Sequence, residues 1–285
     1  MTTITGTTKN LGVIGCPIAH SLSPVIQNAA ISKSGLDYVY IAMPVEREAL
    51  AEAVNGLKSL GFTGFNVTIP HKEAIIPLLD KIDESARMIG AVNTVVNNQG
   101  ALTGYNTDVD GFVGALKDVG YEIAGKSVAV LGAGGAARAV LCGLIREGAK
   151  EISVGVRNPT KAMAVVDDFS EHFPIKIYEW HDDAFRNKTK NADLIVNTTP
   201  LGMYPNVDAM PLVDFDFISD DAFFYDIIYT PMPTMLMKEA EKRGHRTLGG
   251  AAMLVKQGAI AFKLWTGVAP DETIMMKRLT DSLSK

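Results

Sequence analysis

A chain of 285 residues, 47 % hydrophobic and 21 % charged, is longer than one ordinary domain and has apolar material for more than one core. Its net charge of -5, with Lys and Arg scattered rather than gathered in a stripe, excludes a nucleic-acid surface. No apolar run approaches the roughly 18 residues of a membrane span, and the opening MTTITGTTKN lacks the parts of a signal peptide, so the expectation is a cytoplasmic protein without membrane contact.

Leu11 to Gly15 is a short apolar strand. Ser23 followed by Pro24 reads as an N-cap and a proline in the first helical turn, which predicts helix from Val25 to Lys33, stopped before Gly35. Tyr38 to Met43 is a second strand, and Glu46 to Leu60 carries apolar residues at helical spacing. In Asn66-Val67-Thr68-Ile69-Pro70-His71-Lys72, apolar and polar residues alternate until Pro70, which cannot donate to a ladder, ends the strand and places Lys72 beyond it. A helix through Leu79, another over Glu84 to Met88, and strands over Val92 to Val96 and Leu102 to Tyr105 follow, the last two separated by the turn Asn97-Asn98-Gln99-Gly100. Asp108 then sits at or just before the N-cap of a helix over Val109 to Val119.

The alternation restarts with the strand Ser127 to Leu131, a helix to Arg146 and the strand Glu151 to Val156. Strands Asp193 to Asn197 and Phe223 to Ile228 come later, with helical material between. Helices over Pro233 to Arg243, Gly250 to Trp265 and Asp271 to Ser284 close the chain. Alternating strands and helices imply an α/β protein with mostly parallel sheets. The expected domains are residues 1–108, completed by the helices of 250–285, and a dinucleotide-binding domain over 109–249. Trp265, Met253 and Phe262 read as core. Cys16 and Cys142 read as small buried hydrophobes, and the five histidines have no metal-binding spacing.

Two stretches carry chemistry. Gly132-Ala133-Gly134-Gly135-Ala136-Ala137 lies between an apolar strand and an alanine-rich helix, the context a phosphate-binding glycine loop requires. After the next strand comes Arg157, with Asn158 and Lys161 close by and no acid before Asp167; an arginine there favours the extra phosphate of NADP over NAD. Lys72 and Asp108 both follow strands of the first domain, and a lysine with its pKa lowered by burial beside an ionised carboxylate can pass a proton to an alcohol oxygen. The bland readings are a solvated lysine, a helix-capping Ser23 and a helix-capping Asp108.

The chain resembles the shikimate dehydrogenases over nearly its whole length. The resemblance rests on His20-Ser21-Leu22-Ser23-Pro24, Asn66 to Lys72, Gly90-Ala91-Val92-Asn93-Thr94, Gly104-Tyr105-Asn106-Thr107-Asp108, Gly132 to Ala137, Asn197-Thr198-Thr199-Pro200-Leu201-Gly202-Met203, Asp226-Ile227-Ile228-Tyr229 and Met253-Leu254-Val255-Lys256-Gln257. It implies a Rossmann-type NADP domain, a return of the last helices to the first domain, and NADP-linked reversible reduction of 3-dehydroshikimate to shikimate in aromatic amino-acid biosynthesis. It further implies that Ser21 and Ser23 hold the substrate carboxylate, that Asn66, Thr68, Asn93, Asp108 and Gln257 hold ring hydroxyls, and that Lys72 and Asp108 are the catalytic pair. Tyr229 would lie near substrate, Met203 and Gly250 would border the nicotinamide, and Thr198 would join the glycine loop in holding cofactor. The family's usual Asn-Arg-Thr after the second strand of the cofactor domain reads Val156-Arg157-Asn158 here, which weakens the NADP preference without removing it. Gln27-Asn28 replaces a common His-Asn pair, with no function attached. The rivals are a quinate or dual quinate/shikimate dehydrogenase using NAD, and a ligand-sensing protein that binds without turnover. A monomer or homodimer is expected.

Overall fold

Short apolar runs ended by Gly, Pro or Asn set the elements. The computed structural model describes residues 3–170 and 173–284; Met1, Thr2, Glu171, His172 and Lys285 lie outside it. The chain divides into two units, one running to Gly111 and resuming at Val255, the other Phe112–Leu254.

In the first unit, β1 (Lys9–Gly15) is buried over its last five residues. Helix α1 (Ser23–Ser34) follows, ended by Gly35 at φ 65. Ser23 is the first residue of this helix rather than its cap; Leu22 occupies the cap position without a side-chain bond, and the Ser23 N–H donates to Ser21 Oγ at 3.3 Å. Next come β2 (Tyr38–Pro44), α2 (Leu50–Ser59) and β3 (Gly64–Val67). The helix expected through Leu79 is instead a set of turns with one short 3₁₀ segment, Ile76–Leu78, because Pro77 has no N–H and disfavours an α conformation before it. Then follow β4 (Lys81–Ile82), α3 (Glu84–Ile89), β5 (Thr94–Asn98) and β6 (Ala101–Tyr105). Gln99 at φ 53 and Gly100 at φ 92 turn β5 directly into β6, so the pair is an antiparallel hairpin.

The six strands lie in the order β2-β1-β3-β5-β6-β4. β1 pairs in parallel with β2 and β3, and β4 with β6, while β5 runs antiparallel to both neighbours. One face packs Ile14, Phe65, Val67 and Val95 against Leu50, Val54 and Leu57 of α2. Helix α4 (Asp108–Asp118) leaves the unit; Asp108 is its first residue rather than its cap, the Thr107 carbonyl accepts from the Gly111 N–H at 2.9 Å, and the Asp108 N–H donates to Asn106 Oδ1 at 3.0 Å.

The second unit holds β7 (Ser127–Leu131), α5 (Gly135–Arg146), β8 (Glu151–Val156), α6 (Pro159–Ser170), β9 (Ile175–Glu179), α7 (Asp183–Lys190), β10 (Leu194–Asn197), β11 (Phe223–Asp226), α8 (Met235–Lys242) and β12 (Thr247–Gly249). β9 and β12 have no counterpart in the sequence reading. All pairs are parallel, in the order β12-β11-β10-β7-β8-β9. That is the doubly wound order, in which the strand sequence reverses between β7 and β10 and ligands bind beyond the carboxyl ends.

Helix α9 (Ala251–Thr266) begins in the second unit and ends in the first, followed by α10 (Glu272–Leu283). Both return to the first sheet as expected. α10 packs on α1, Gln27 Nε2 donates to the Gly258 carbonyl at 2.9 Å, and Trp265 Nε1 donates to the Val95 carbonyl at 2.9 Å. A Cβ on Gly64 would lie 2.2 Å from the Trp265 indole, so only glycine lets that ring reach the strands. Trp265 and Phe262 are buried, as is Cys142, whereas Cys16 is half-exposed and its thiol donates to Glu46 Oε1 at 3.1 Å.

Candidate active site

The carboxyl end of β3 and the approach to α4 supply the first unit's polar cluster. Lys72 Nζ donates to Asp108 Oδ2 at 2.6 Å, joining two side chains 36 residues apart. Lys72 is 30 % exposed and Asp108 15 %, so the lysine is half-buried rather than sealed from water, as sequence had suggested, and the pair can reach a small molecule. His71 beside it is fully buried, and its Nε2 lies 2.7 Å from the Val45 carbonyl, which anchors the turn that carries Lys72.

Asn66 and Asn93 are buried, and their amides are joined through Thr94. Asn66 Nδ2 donates to the Asn93 carbonyl at 3.1 Å and to Thr94 Oγ1 at 3.0 Å; the Thr94 hydroxyl donates to Asn93 Oδ1 at 3.0 Å. Asn93 Nδ2 donates to Thr107 Oγ1 at 3.0 Å, and Thr107 Oγ1 donates to Gln257 Oε1 at 3.4 Å. This links the hairpin to α9, from the other end of the chain. Tyr40, on β2, donates its O–H to Asn66 Oδ1 at 2.6 Å. Thr68 follows β3 directly and is half-buried, as are Ser21 and Ser23 at the start of α1. Tyr40, Thr94 and Thr107 escaped the sequence reading as site residues. Thr94 and Thr107 stood inside motifs without a role, and Tyr40 read as an ordinary strand residue.

In the second unit the glycine loop lies at the carboxyl end of β7, beside the point where the strand order reverses. Gly132 takes φ 100, and a Cβ there would sit 2.6 Å from Thr199 Cγ2. Thr198 donates its hydroxyl to the carbonyls of Leu131 and Gly132 at 3.0 and 3.1 Å, bracing that turn. Ala133 is half-buried, and Gly134, Gly135 and Ala136 are exposed. α5 opens at Gly134 with no side-chain cap, and a Cβ at Gly134 or Gly135 would meet nothing within 4 Å. A helix N-terminus with clear space before it fits the pyrophosphate of a dinucleotide. Arg157 and Lys161 are exposed past β8, while Asn158 Oδ1 accepts from the Lys161 N–H at 3.0 Å and so caps α6.

Tyr229, expected near substrate, and Met203 and Gly250, expected at the nicotinamide, belong to the second unit, whereas the other expected substrate residues belong to the first. Met203 is exposed, Tyr229 half-buried with its phenol pKa raised by burial, and the Gly250 N–H donates to the Ile228 carbonyl at 3.0 Å. Beneath them Asp226 is buried, accepting from Thr234 Oγ1 at 2.7 Å, Asn197 Nδ2 at 3.0 Å and the Ile228 N–H at 3.1 Å. Burial still pushes its carboxyl up to about 6, desolvation outweighing the three donors.

Known proteins share this arrangement. Residues 13–95 match the family model of the shikimate dehydrogenase substrate binding domain, residues 250–280 that of the shikimate 5'-dehydrogenase C-terminal domain, and residues 127–211 that of the F420-dependent NADP oxidoreductases. The NADP(+) shikimate dehydrogenase of Geobacter metallireducens is 44 % identical, covering 99 % of both chains; that of Methanopyrus kandleri is 44 % identical, covering 97 % of this chain and 96 % of its own. A crystal structure of a shikimate dehydrogenase with NADP+ superposes with a TM-score of 0.93 at 41 % identity, covering 100 % of this chain and 99 % of that one. The Thermus thermophilus enzyme with NADP(H) and shikimate gives 0.87 at 36 % identity over 96 % of this chain and 100 % of that one. At more than 40 % identity over nearly the whole length of the first three of these relatives, the chain belongs to the shikimate dehydrogenase family.

Proposed function

We infer that this chain is an NADP-dependent shikimate dehydrogenase that reversibly reduces 3-dehydroshikimate to shikimate in aromatic amino-acid biosynthesis. The observation that carries the reading is the 2.6 Å contact of Lys72 with Asp108, a proton donor and acceptor pair at the carboxyl edge of the first sheet. NADPH, when bound, supplies the hydride that reduces the substrate carbonyl. Lys72 gives its proton to the oxygen as the carbonyl becomes a hydroxyl, and takes it back in the oxidative direction. Asp108 holds the ammonium in place and compensates its charge. Ser21 and Ser23 bind the carboxylate, Asn66, Thr68, Asn93, Asp108 and Gln257 the ring hydroxyls, and Tyr229 is a further substrate residue. The first unit is thus the substrate domain, and the second the cofactor domain.

The open glycine loop supports Gly132, Ala133, Gly134, Gly135 and Ala136 as the pyrophosphate site, with Thr198 bracing it. Arg157 and Lys161 take the 2'-phosphate, Asn158 orders the helix behind them, and Met203 and Gly250 border the nicotinamide. Every residue named comes from one chain, so a monomer suffices and a homodimer is compatible. A cytoplasmic location suits an enzyme drawing on the cell's NADP pool.

The test is a nicotinamide-absorbance assay crossing shikimate and quinate with NADP and NAD. Turnover highest with shikimate and NADP is expected. Preference for quinate with NAD would give the chain the activity named for the Corynebacterium glutamicum quinate dehydrogenase, a neighbour at TM-score 0.89 and 31 % identity. Binding of shikimate without turnover of any pair would favour a sensor.

A further inference from the structure

The hydrogen bonds of the first unit run in one direction. The Tyr40 O–H goes to Asn66 Oδ1, an Asn66 N–H to Thr94 Oγ1, the Thr94 O–H to Asn93 Oδ1 and an Asn93 N–H to Thr107 Oγ1, whose own O–H lies between Asn93 Oδ1 at 3.3 Å and Gln257 Oε1 at 3.4 Å. Backbone groups set the sense of the two amides: the Asn93 carbonyl can only accept from Asn66 Nδ2, and the Thr107 N–H can only donate to Asn93 Oδ1, so the Tyr40 and Thr94 hydroxyls must donate to the amide oxygens they face.

A valence count shows what is left over. Both protons of Asn66 Nδ2 are committed, to Thr94 Oγ1 and the Asn93 carbonyl, and one lone pair of Oδ1 is taken by Tyr40. Asn66 therefore meets a ligand only as an acceptor. Asn93 Oδ1 is filled by the Thr94 hydroxyl at 3.0 Å and the Thr107 N–H at 2.9 Å, while one Asn93 N–H goes to Thr107 Oγ1. Asn93 therefore meets a ligand only as a donor. Two asparagines of identical chemistry are held in opposite senses by a backbone carbonyl, a backbone N–H and the hydroxyls behind them.

We propose that Tyr40 and Thr94 are positioning residues for substrate recognition: together with the Asn93 carbonyl and the Thr107 N–H, their hydroxyls hold Asn66 toward a sugar-like ring as an acceptor and Asn93 as a donor. Neither touches substrate; each acts through the amide it orients. Tyr40 suits this role because it is buried, with its ring 5.9 Å from that of Trp265. Burial also raises its phenol pKa well above the ordinary value, so its proton stays on. A chain of bonds sharing one sense polarises its members, so loss of one bond is felt by the others.

This inference rests on Asn66 and Asn93 being substrate contacts, and its test separates the two readings. Tyr40→Phe is expected to raise KM for shikimate about tenfold, the effect of losing a hydrogen bond worth roughly 1.4 kcal/mol. Its kcat should stay within about threefold, with KM for NADP unchanged. Thr94→Val should do the same, and Thr94→Ser, which keeps the hydroxyl, should restore wild-type KM. In an Asn66→Ala background Tyr40→Phe should raise KM no further, because a residue acting through Asn66 has nothing left to orient. Losses that add in the double variant, or equal KM for Thr94→Val and Thr94→Ser, overturn the proposal. If Tyr40→Phe lowers the thermal midpoint too far to assay, the Thr94 pair decides. Failure of the wild-type chain to turn over shikimate defeats the functional reading itself, whereas turnover with additive losses defeats only the positioning roles.

Discussion

Lys72 Nζ meets Asp108 at 2.6 Å, and in the proposed reaction both the proton and the charge balance pass through that contact. Lys72→Ala is expected to lower kcat by at least 10²-fold, the lower bound for a general acid or base, while shikimate affinity measured by calorimetry stays near wild type. Near-normal turnover would remove the lysine from the mechanism. At the other ligand, Arg157→Ala should raise KM for NADP much more than KM for NAD, since only NADP carries the extra phosphate; equal changes would remove the phosphate clamp. Lys72, Asp108 and the glycine loop were legible in the sequence because each is an unusual residue at a strand end, where α/β sheets bind ligands. Tyr40 and Thr94 were not. A tyrosine or threonine in a strand is what β-propensity alone would place there, and only the fold shows the hydroxyls facing an asparagine.

At the scale of elements, Asp226 ties the ends of β10 and β11 to the start of α8 through Asn197, Ile228 and Thr234. Its carboxyl, near 4 in an unfolded chain, sits at about 6 in the fold, so the folded protein holds that proton more tightly. The resulting stabilisation is complete below about pH 4 and is lost as pH rises through about 6, a change of roughly 2 to 3 kcal/mol. Urea titrations should therefore show wild type losing stability relative to Asp226→Asn between pH 4 and pH 7; a difference that is flat, or that rises with pH, would contradict the burial argument. The strands of the second unit were readable because parallel strands buried on both faces are nearly continuous apolar runs. The short edge strands β9 and β12 lack that signature. The antiparallel turn of β5 was also hidden, since pairing partners are set by positive φ at Gln99 and Gly100 and by packing across the sheet rather than by local pattern.

For the whole molecule the order of the chain is not the order of its structure. The second unit is continuous in sequence, while the first is interrupted by all of it. A fragment of residues 1–111 is expected to lack cooperative thermal unfolding by near-ultraviolet circular dichroism, because it has neither α10 against α1 nor Trp265 against the strands; adding residues 255–285 should restore it, and a cooperative transition without them would show that the sheet needs no cover. The pairing of Trp265 with Val95 spans 170 residues. On a ribosome adding about 5 to 20 residues per second, the strands of the first unit wait roughly 10 to 30 s for that indole. During that interval the sheet face around Gly64 is uncovered in the cell, so the enzyme's exposure to chaperones and to aggregation is set by how fast the intervening domain is translated.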